Sequence, residues 1–332
     1  MPGLPPGVAA NEKLTAMIAE DDAATIARTF DLGLHPQLEG PVARGEVGQI
    51  WKLTTTTGRW AIKEAFEPPS PTEAEHDASF QELVQSAGVN VPTVRRAHGG
   101  RVLAEVNGSL VRAYSWVDLS ATDPSIDPVQ VGRVVASIHR VLHHDANGVD
   151  PWYTDPVGGD QWNELIAASR WARAPFADQL AEQQHDLIAL EALPRPPTQL
   201  QACHRDLFAD NVLSTPGGDL CVIDWENSGL ADPSHELALV LFEYSRGDSA
   251  RSRLLYDSYI SSGGPGRVRD PGDFSMLIAQ LGHICEIACQ RWLDPTRVNE
   301  RERNQARIDE FLTDRLTTTT IDEILDAIGT QR

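Results

Sequence analysis

The sequence predicts an α+β chain of two lobes, an N-terminal antiparallel sheet carrying one helix, then a larger, mainly helical lobe. Three observations carry that expectation. The 332 residues exceed the size at which a single core stops growing. Strand-like texture dominates the chain before Asp118. Beyond it helical spacing takes over, interrupted by two short strand-like segments.

In chain order, residues 12–30 set Leu14, Met17, Ile18, Ile26 and Phe30 among acidic positions and suggest a short helical arm. From Leu38 to Glu64 the residues are strand-like, and the threonine run before Gly58 predicts a hairpin of two antiparallel strands. Thr72 is placed to cap a helix running to about Ser86, ended by Ala87-Gly88. Arg101–Glu105 and Leu110–Val117 form a second hairpin around Asn107-Gly108, a favoured two-residue turn. Val131, Val134, Val135, Ile138, Val141 and Leu142 then keep helical spacing beside His139. One helical stretch is expected from about Gln161 to Leu193, closed by Pro194, Pro196 and Pro197. Short strands are expected at 201–204 and 219–223, and helices at His235–Tyr244, Met276–Trp292 and Ile321–Ile328. The domain boundaries follow: 1–114 as the first lobe with 1–37 as its arm, 115–118 as a hinge, and 119–332 as the second lobe.

Composition narrows the function. Charged residues are 23% and hydrophobic ones 41%, which argues against a largely disordered chain. The formal charge of -20 disfavours nucleic acid and anionic membranes as partners and draws cations toward any acidic cleft. Cys203, Cys221, Cys285 and Cys289 form no CxxC pair and fit free thiols in a reducing cytoplasm. His283, Cys285 and Cys289 lack a fourth ligand for a metal site. The N-terminus shows no signal-peptide pattern, and no apolar run is long enough to span a bilayer, so a cytoplasmic protein is expected.

The chemistry is concentrated in Cys203-His204-Arg205-Asp206-Leu207-Phe208-Ala209-Asp210-Asn211 and Cys221-Val222-Ile223-Asp224-Trp225-Glu226. Phosphoryl transfer needs a carboxylate beside the attacking hydroxyl and hard oxygen ligands that hold magnesium against the phosphates. Asp206 suits the first role, Asn211 and Asp224 the second, and His204 is expected to brace the loop. Upstream, Arg44-Gly45-Glu46-Val47-Gly48-Gln49 is a turn whose glycines let backbone N–H groups approach phosphate oxygens. Lys63, in Trp60-Ala61-Ile62-Lys63, matches a strand lysine that contacts nucleotide phosphates. Its helix-borne acid is Glu73 or Asp77, which fall near the edge of the stripe set by Phe80, Leu83, Val84 and Ala87, whereas Glu75 points almost oppositely. Ser115 and Val117 end a strand where exposed backbone can pair with an adenine edge. No G-x-x-x-x-G-K-[ST] run exists, which excludes a Walker-type site.

With these residues in order, the chain from about Gly40 to Trp292 resembles the aminoglycoside phosphotransferase and small-molecule kinase family of the protein-kinase-like superfamily. Arg205 stands where that family usually has glycine, and Glu236 where it has aspartate in a Gly-Asp-Pro-x-x-Asp-Leu-Ala motif. Val131-Gly132 to His139 is similar to the family's Leu-Gly-x-x-Leu-Ala-x-Leu-His helix. The resemblance implies a kinase-like fold binding ATP, with GTP left open, and Mg2+ between the lobes. It also implies transfer to a small-molecule hydroxyl, because the short path from Asp224 to Asp232 leaves no room for a regulated peptide-binding loop. Asp210, Glu226, Asp232, Asp160, Glu164 and Glu286 are candidates to meet ammonium groups of an aminoglycoside-like, amino-bearing or sugar acceptor. The alternatives are a metabolic kinase of the choline, homoserine or amino-sugar type without a role in antibiotic resistance, and a nucleotide-binding pseudokinase. A monomer or homodimer is expected.

Overall fold

The computed structural model describes residues 17–45, 48–66, 69–143, 148–245 and 247–329. The chain divides into two compact units, one built from the described residues up to Ala78 with Pro92–Val117, the other from Ser79–Val91 with the chain from Asp118 onward.

The first unit is an antiparallel sheet. Its strands are β1 (Gln37–Arg44), β2 (Gly48–Thr55), β3 (Gly58–Ala65), β4 (Val94–Arg95), β5 (Ala104–Val106) and β6 (Ser109–Ser115). They lie in the order β1-β2-β3-β6-β4, with β5 on β6. The expected pair of strands between Leu38 and Glu64 is therefore three: Gly40-Pro41 hides β1 in the sequence, and a register irregularity lies between Glu39 and Ala43. Asn107 and Gly108 both take positive φ (49° and 88°), the conformation of a two-residue hairpin turn.

Side chains alternate across β3, so Trp60, Ile62 and Glu64 are buried on one face while Lys63 lies on the other. Against Trp51, Leu53, Trp60 and Ile62 pack Ile18, Ile26, Phe30 and Leu32 of the arm. The arm is helical only over a 3₁₀ turn at Glu20–Asp22 and α1 (Ala23–Thr29); residues 12–16 lie outside the described residues. The buried Glu64 carboxylate accepts from Ile18 N (2.8 Å), Ser109 Oγ (2.7 Å), Gln49 Nε2 (2.7 Å) and Trp51 Nε1 (3.1 Å). Four donors offset its loss of water and tie arm and sheet together. On α2 (Pro71–Ser86) the cap is Ser70 rather than the expected Thr72: Ser70 Oγ accepts from Glu73 N, and Glu73 Oε2 accepts from Ser70 N, both at 3.2 Å.

The second unit holds α3 (Pro128–His139), α4 (Gly159–Trp171), α5 (Ala177–Glu191), α6 (Pro233–Ser245), α7 (Ser249–Ser261), α8 (Ser275–Leu293), α9 (Arg301–Thr313) and α10 (Thr318–Ala327). The single stretch expected from Gln161 to Leu193 is two helices, because Pro175 cannot continue the first and Arg173 turns the chain at positive φ. Its core centres on α6, whose Leu237–Leu241 are all buried. A second cluster joins Trp162, Leu180, Cys285, Cys289, Ile308 and Leu312 from α4, α5, α8 and α9 with Phe176, which immediately precedes α5. Two small ladders carry the functional loops: β7 (Gln201–Cys203) pairs with β10 (Gly229–Ala231), and β8 (Val212–Ser214) with β9 (Leu220–Val222). All four cysteines are free and buried. Among the described residues no helix is long and apolar enough to cross a membrane.

Candidate active site

The loop between β7 and β8 carries Asp206 and Asn211, and the turn after β9 carries Asp224. Asn211 Nδ2 donates to the Asp206 carbonyl and to Asp206 Oδ2, both at 2.9 Å. Asn227 Nδ2 donates to the same Oδ2 at 3.0 Å. Burial pushes the Asp206 carboxyl up to about 7; the charges of Asp224 and Asp210 add to the rise, while the Asn227 and Asn211 amides oppose it. A carboxyl placed there is poised to accept a proton near neutrality.

The backbone around this carboxyl is held from several sides. Glu236 on α6 is fully buried and accepts from His204 N (3.3 Å), from Arg205 N and from His139 Nε2 (2.6 Å). Burial would raise the Glu236 carboxyl, but the His139 hydrogen bond and charge, the His204 charge and the Arg205 N–H outweigh it and hold it low. Tyr259 OH meets His139 Nδ1 at 2.8 Å, and Gln280 Nε2 donates to the Arg205 carbonyl at 2.8 Å. His204 does brace the loop: its Nε2 lies 2.9 Å from the Ile223 carbonyl, its ring packs edge-on to Trp225, and burial lowers its pKa. Among the described residues, His139, Cys203 and Glu236 are close enough to share a metal. The hydrogen bonds just given commit both ring nitrogens and the carboxylate to holding the loop instead.

The donor set at the front of the loop suits a hard divalent cation. With Nδ2 spent on Asp206, Asn211 keeps Oδ1 as its remaining ligand atom. Asp224 sits in the left-handed region (φ 61°, ψ 61°) at the head of the 3₁₀ turn Trp225–Asn227. A non-glycine residue held there marks a conformation that the surroundings impose.

In the first unit, Lys63 is half-buried and paired in register with Ile50 and Arg112. Directly paired residues share a face, and Arg112 Nη2 lies 3.4 Å from Asp77 Oδ2, so Asp77 lies toward the face that carries Lys63. Glu73 is exposed and occupied in its capping box, whereas Asp77 is buried and paired with Arg112. Glu75 takes a different job, binding Arg96 Nη1 (2.6 Å) and Val102 N (2.8 Å). Gly45 N donates to Gly48 O at 2.9 Å and closes the turn; Glu46 and Val47 lie outside the described residues. Gly48 has a packing reason as well, since a Cβ there would stand 2.4 Å from the Glu64 carbonyl. Ser115 N is taken by the Thr93 carbonyl, and its hydroxyl accepts from Thr93 N, so its N–H is not open to an adenine. Val117 lies beyond the last strand pair.

Of the acidic acceptor candidates, Asp232 is corrected. Its buried carboxylate accepts from Thr198 N (2.8 Å), Thr198 Oγ1 (3.0 Å), Gln199 N (3.1 Å) and Ser234 N (2.9 Å), which makes it a brace for two chain segments. Asp160 and Glu164 are exposed on α4, Asp210 is exposed, and Glu226 is half-buried in the 3₁₀ turn. Glu286 is engaged by His283 Nδ1 and Gln290 Nε2, each at 3.0 Å, and His283 stacks on Trp152. Sequence reasoning passed over Asn227, Gln280 and Tyr153, whose roles come from contacts distant in the chain. Arg205 and Glu236 stood out only as departures from a motif.

The model of the phosphotransferase enzyme family matches residues 40–271. The chain belongs to that family. The phosphotransferase also shares its fold with solved structures at low identity. A spectinomycin phosphotransferase in complex with ADP and spectinomycin is 13% identical, with TM-score 0.66, covering 94% of this chain and 98% of its own. An amicoumacin kinase in complex with AMP-PNP and Ca2+ is 14% identical, with TM-score 0.56 and coverages of 89% and 94%. A choline/ethanolamine kinase family protein from Mesorhizobium loti is 16% identical, with TM-score 0.52 and coverages of 93% and 98%. No curated protein sequence matches the phosphotransferase.

Proposed function

We propose that this phosphotransferase moves the γ-phosphate of Mg-ATP to a hydroxyl of a small, amino-bearing or sugar-like acceptor. The observation that carries the reading is the Asp206 carboxyl, raised to about 7 and oriented by two side-chain amides. In this reading Asp206 accepts the hydroxyl proton as the oxygen attacks. Asn211 through Oδ1 and Asp224 through its carboxylate would hold Mg2+, which when bound neutralises phosphate charge. Lys63, oriented by Asp77, and the backbone of the Gly45–Gly48 turn would take the phosphates. Val117 would offer its backbone to the base, with the Ser115 carbonyl beside it; this adenine contact does not by itself separate ATP from GTP. Nucleotide chemistry and four reduced thiols fit a cytoplasmic location.

Two of the fold relatives are named for antibiotics and one for choline or ethanolamine, so this fold carries kinases named for quite different small amino-bearing molecules, and both a resistance and a metabolic role stay open for this chain. Asp210 and Glu226, which flank Asn211 and Asp224 in the chain, are the acids best placed to meet an ammonium group. The test is a panel of aminoglycosides, amino sugars, choline-like amines and macrolides incubated with Mg-ATP and read by mass spectrometry for a phosphate adduct. An adduct on an amino-bearing acceptor is expected. Binding of Mg-ATP with no adduct across the panel would overturn the acceptor class, and absence of Mg-ATP binding would overturn the reaction.

A further inference from the structure

We infer that Arg205 is a positioning residue for the reaction: its guanidinium clamps the turn that carries Asn227 and thereby fixes the Asn227 amide on the Asp206 carboxylate. The inference rests on the reading of Asp206 as the base. Arg205 has φ 65°, in the left-handed region where glycine is at ease and a side chain is not. Something must therefore favour arginine here.

The surroundings supply it. Arg205 Nε donates to the Asn227 carbonyl at 2.6 Å, and Nη2 reaches the Ser228 carbonyl at 3.3 Å. One face of the guanidinium lies over the Tyr153 ring, 4.0 Å from its centroid. Beyond lies Gly229, where a Cβ would stand 2.6 Å from Cζ and Nη2, so a side chain at 229 would displace the guanidinium from this place. The Arg205 main chain is itself pinned by Glu236 and Gln280, which fixes where the side chain starts. Asn227 is exposed, and a solvent-facing amide on a short turn has little else to hold it. With its carbonyl clamped, its Nδ2 meets Asp206 Oδ2 at 3.0 Å. The loop thus closes from Arg205, through Asn227, back to the next residue in the chain.

Two independent measurements test the clamp on the full chain. Amide hydrogen exchange of residues 225–229 is compared in the unmodified protein, Arg205→Gly and Arg205→Lys. Glycine suits the backbone at 205, so Arg205→Gly is expected to fold. Exchange there is expected to rise about tenfold in both variants, because lysine is a point donor and cannot span two carbonyls. Unchanged exchange would overturn the clamp whether or not the protein transfers phosphate. In the second measurement, Mg-ATP turnover with water as acceptor is expected to lose about tenfold in kcat in Arg205→Gly and Asn227→Ala, with KM for Mg-ATP unchanged. Gly229→Ala should cause the same loss beside Arg205 and add nothing beside Gly at 205. A cost of Gly229→Ala that ignores residue 205, or a change in KM alone, would overturn the inference. Failure of the unmodified protein to turn over Mg-ATP would count against the phosphotransfer reading, and the exchange measurement would still decide the clamp.

Discussion

At Asp206 two side-chain amides and two neighbouring carboxylates act in opposite directions on one carboxyl, and burial decides the balance. If that carboxyl takes the proton, Asp206→Ala lowers phosphoryl transfer by about 10²–10⁴-fold while Mg-ATP binding, followed by calorimetry, is retained. Asp232 shows the reverse balance. Burial would raise it, but the N–H groups of Ser234, Gln199 and Thr198 hold it below its ordinary value of 3.8. A carboxylate whose folded pKa is depressed stabilises the fold above its unfolded value, and that contribution is lost as pH falls through the folded one. Asp232→Asn should therefore melt at lower temperature at neutral pH, by about 2–3 kcal/mol of stability, and show a flatter acid limb in thermal melts. The two residues also mark what is legible at this scale. Asp206 stands out because its loop is spelled in consecutive letters. Asp232 looks the same as any loop acid until Thr198 and Gln199 come to meet it.

Among elements, the packing of α3 on α7 governs the loop from behind. Gly132 lies where a Cβ would come 2.4 Å from the Leu255 carbonyl and 3.0 Å from Tyr259 N, so the two helices approach as backbones. Gly132→Ala must push them apart. The expected cost is about 1–3 kcal/mol in denaturant unfolding. The same shift would strain the Tyr259–His139–Glu236 chain that holds His204 and Arg205, so turnover should fall in parallel. Helices with a one-sided apolar stripe, such as α3 and α10, were readable from periodicity, as was the Asn107-Gly108 turn. The three-residue strands β8 and β10 were not: so short a segment carries no period and is defined by its partner, and β7 and β9, equally short, were read only from their place beside the motif. The break between α4 and α5 did have a signal in Pro175, outweighed by the apolar spacing on either side.

For the whole molecule, the net charge of -20 sets a self-repulsion that the folded units bear throughout. Monovalent salt should raise the melting temperature by screening it, which differential scanning calorimetry from low to moderate ionic strength would measure. Removal of divalent cations by EDTA should abolish Mg-ATP turnover and leave far-ultraviolet circular dichroism unchanged, since Asn211, one of the proposed metal ligands, is held by the protein's own hydrogen bonds. The sequence by itself determined the family and singled out the groups proposed to react. Asp206, Asn211 and Asp224 fall within one short run, where fixed spacing and neighbouring strands are enough to recognise them. The tertiary structure alone decided which other side chains serve them. Tyr153, Asn227, Glu236 and Gln280 reach this loop from a 3₁₀ turn before α4, the turn after β9, α6 and α8, while Glu73 and Asp232 are claimed by helix capping and loop bracing. Hydrogen bonds and close packing act across space, and chain spacing does not encode which distant residues will share them.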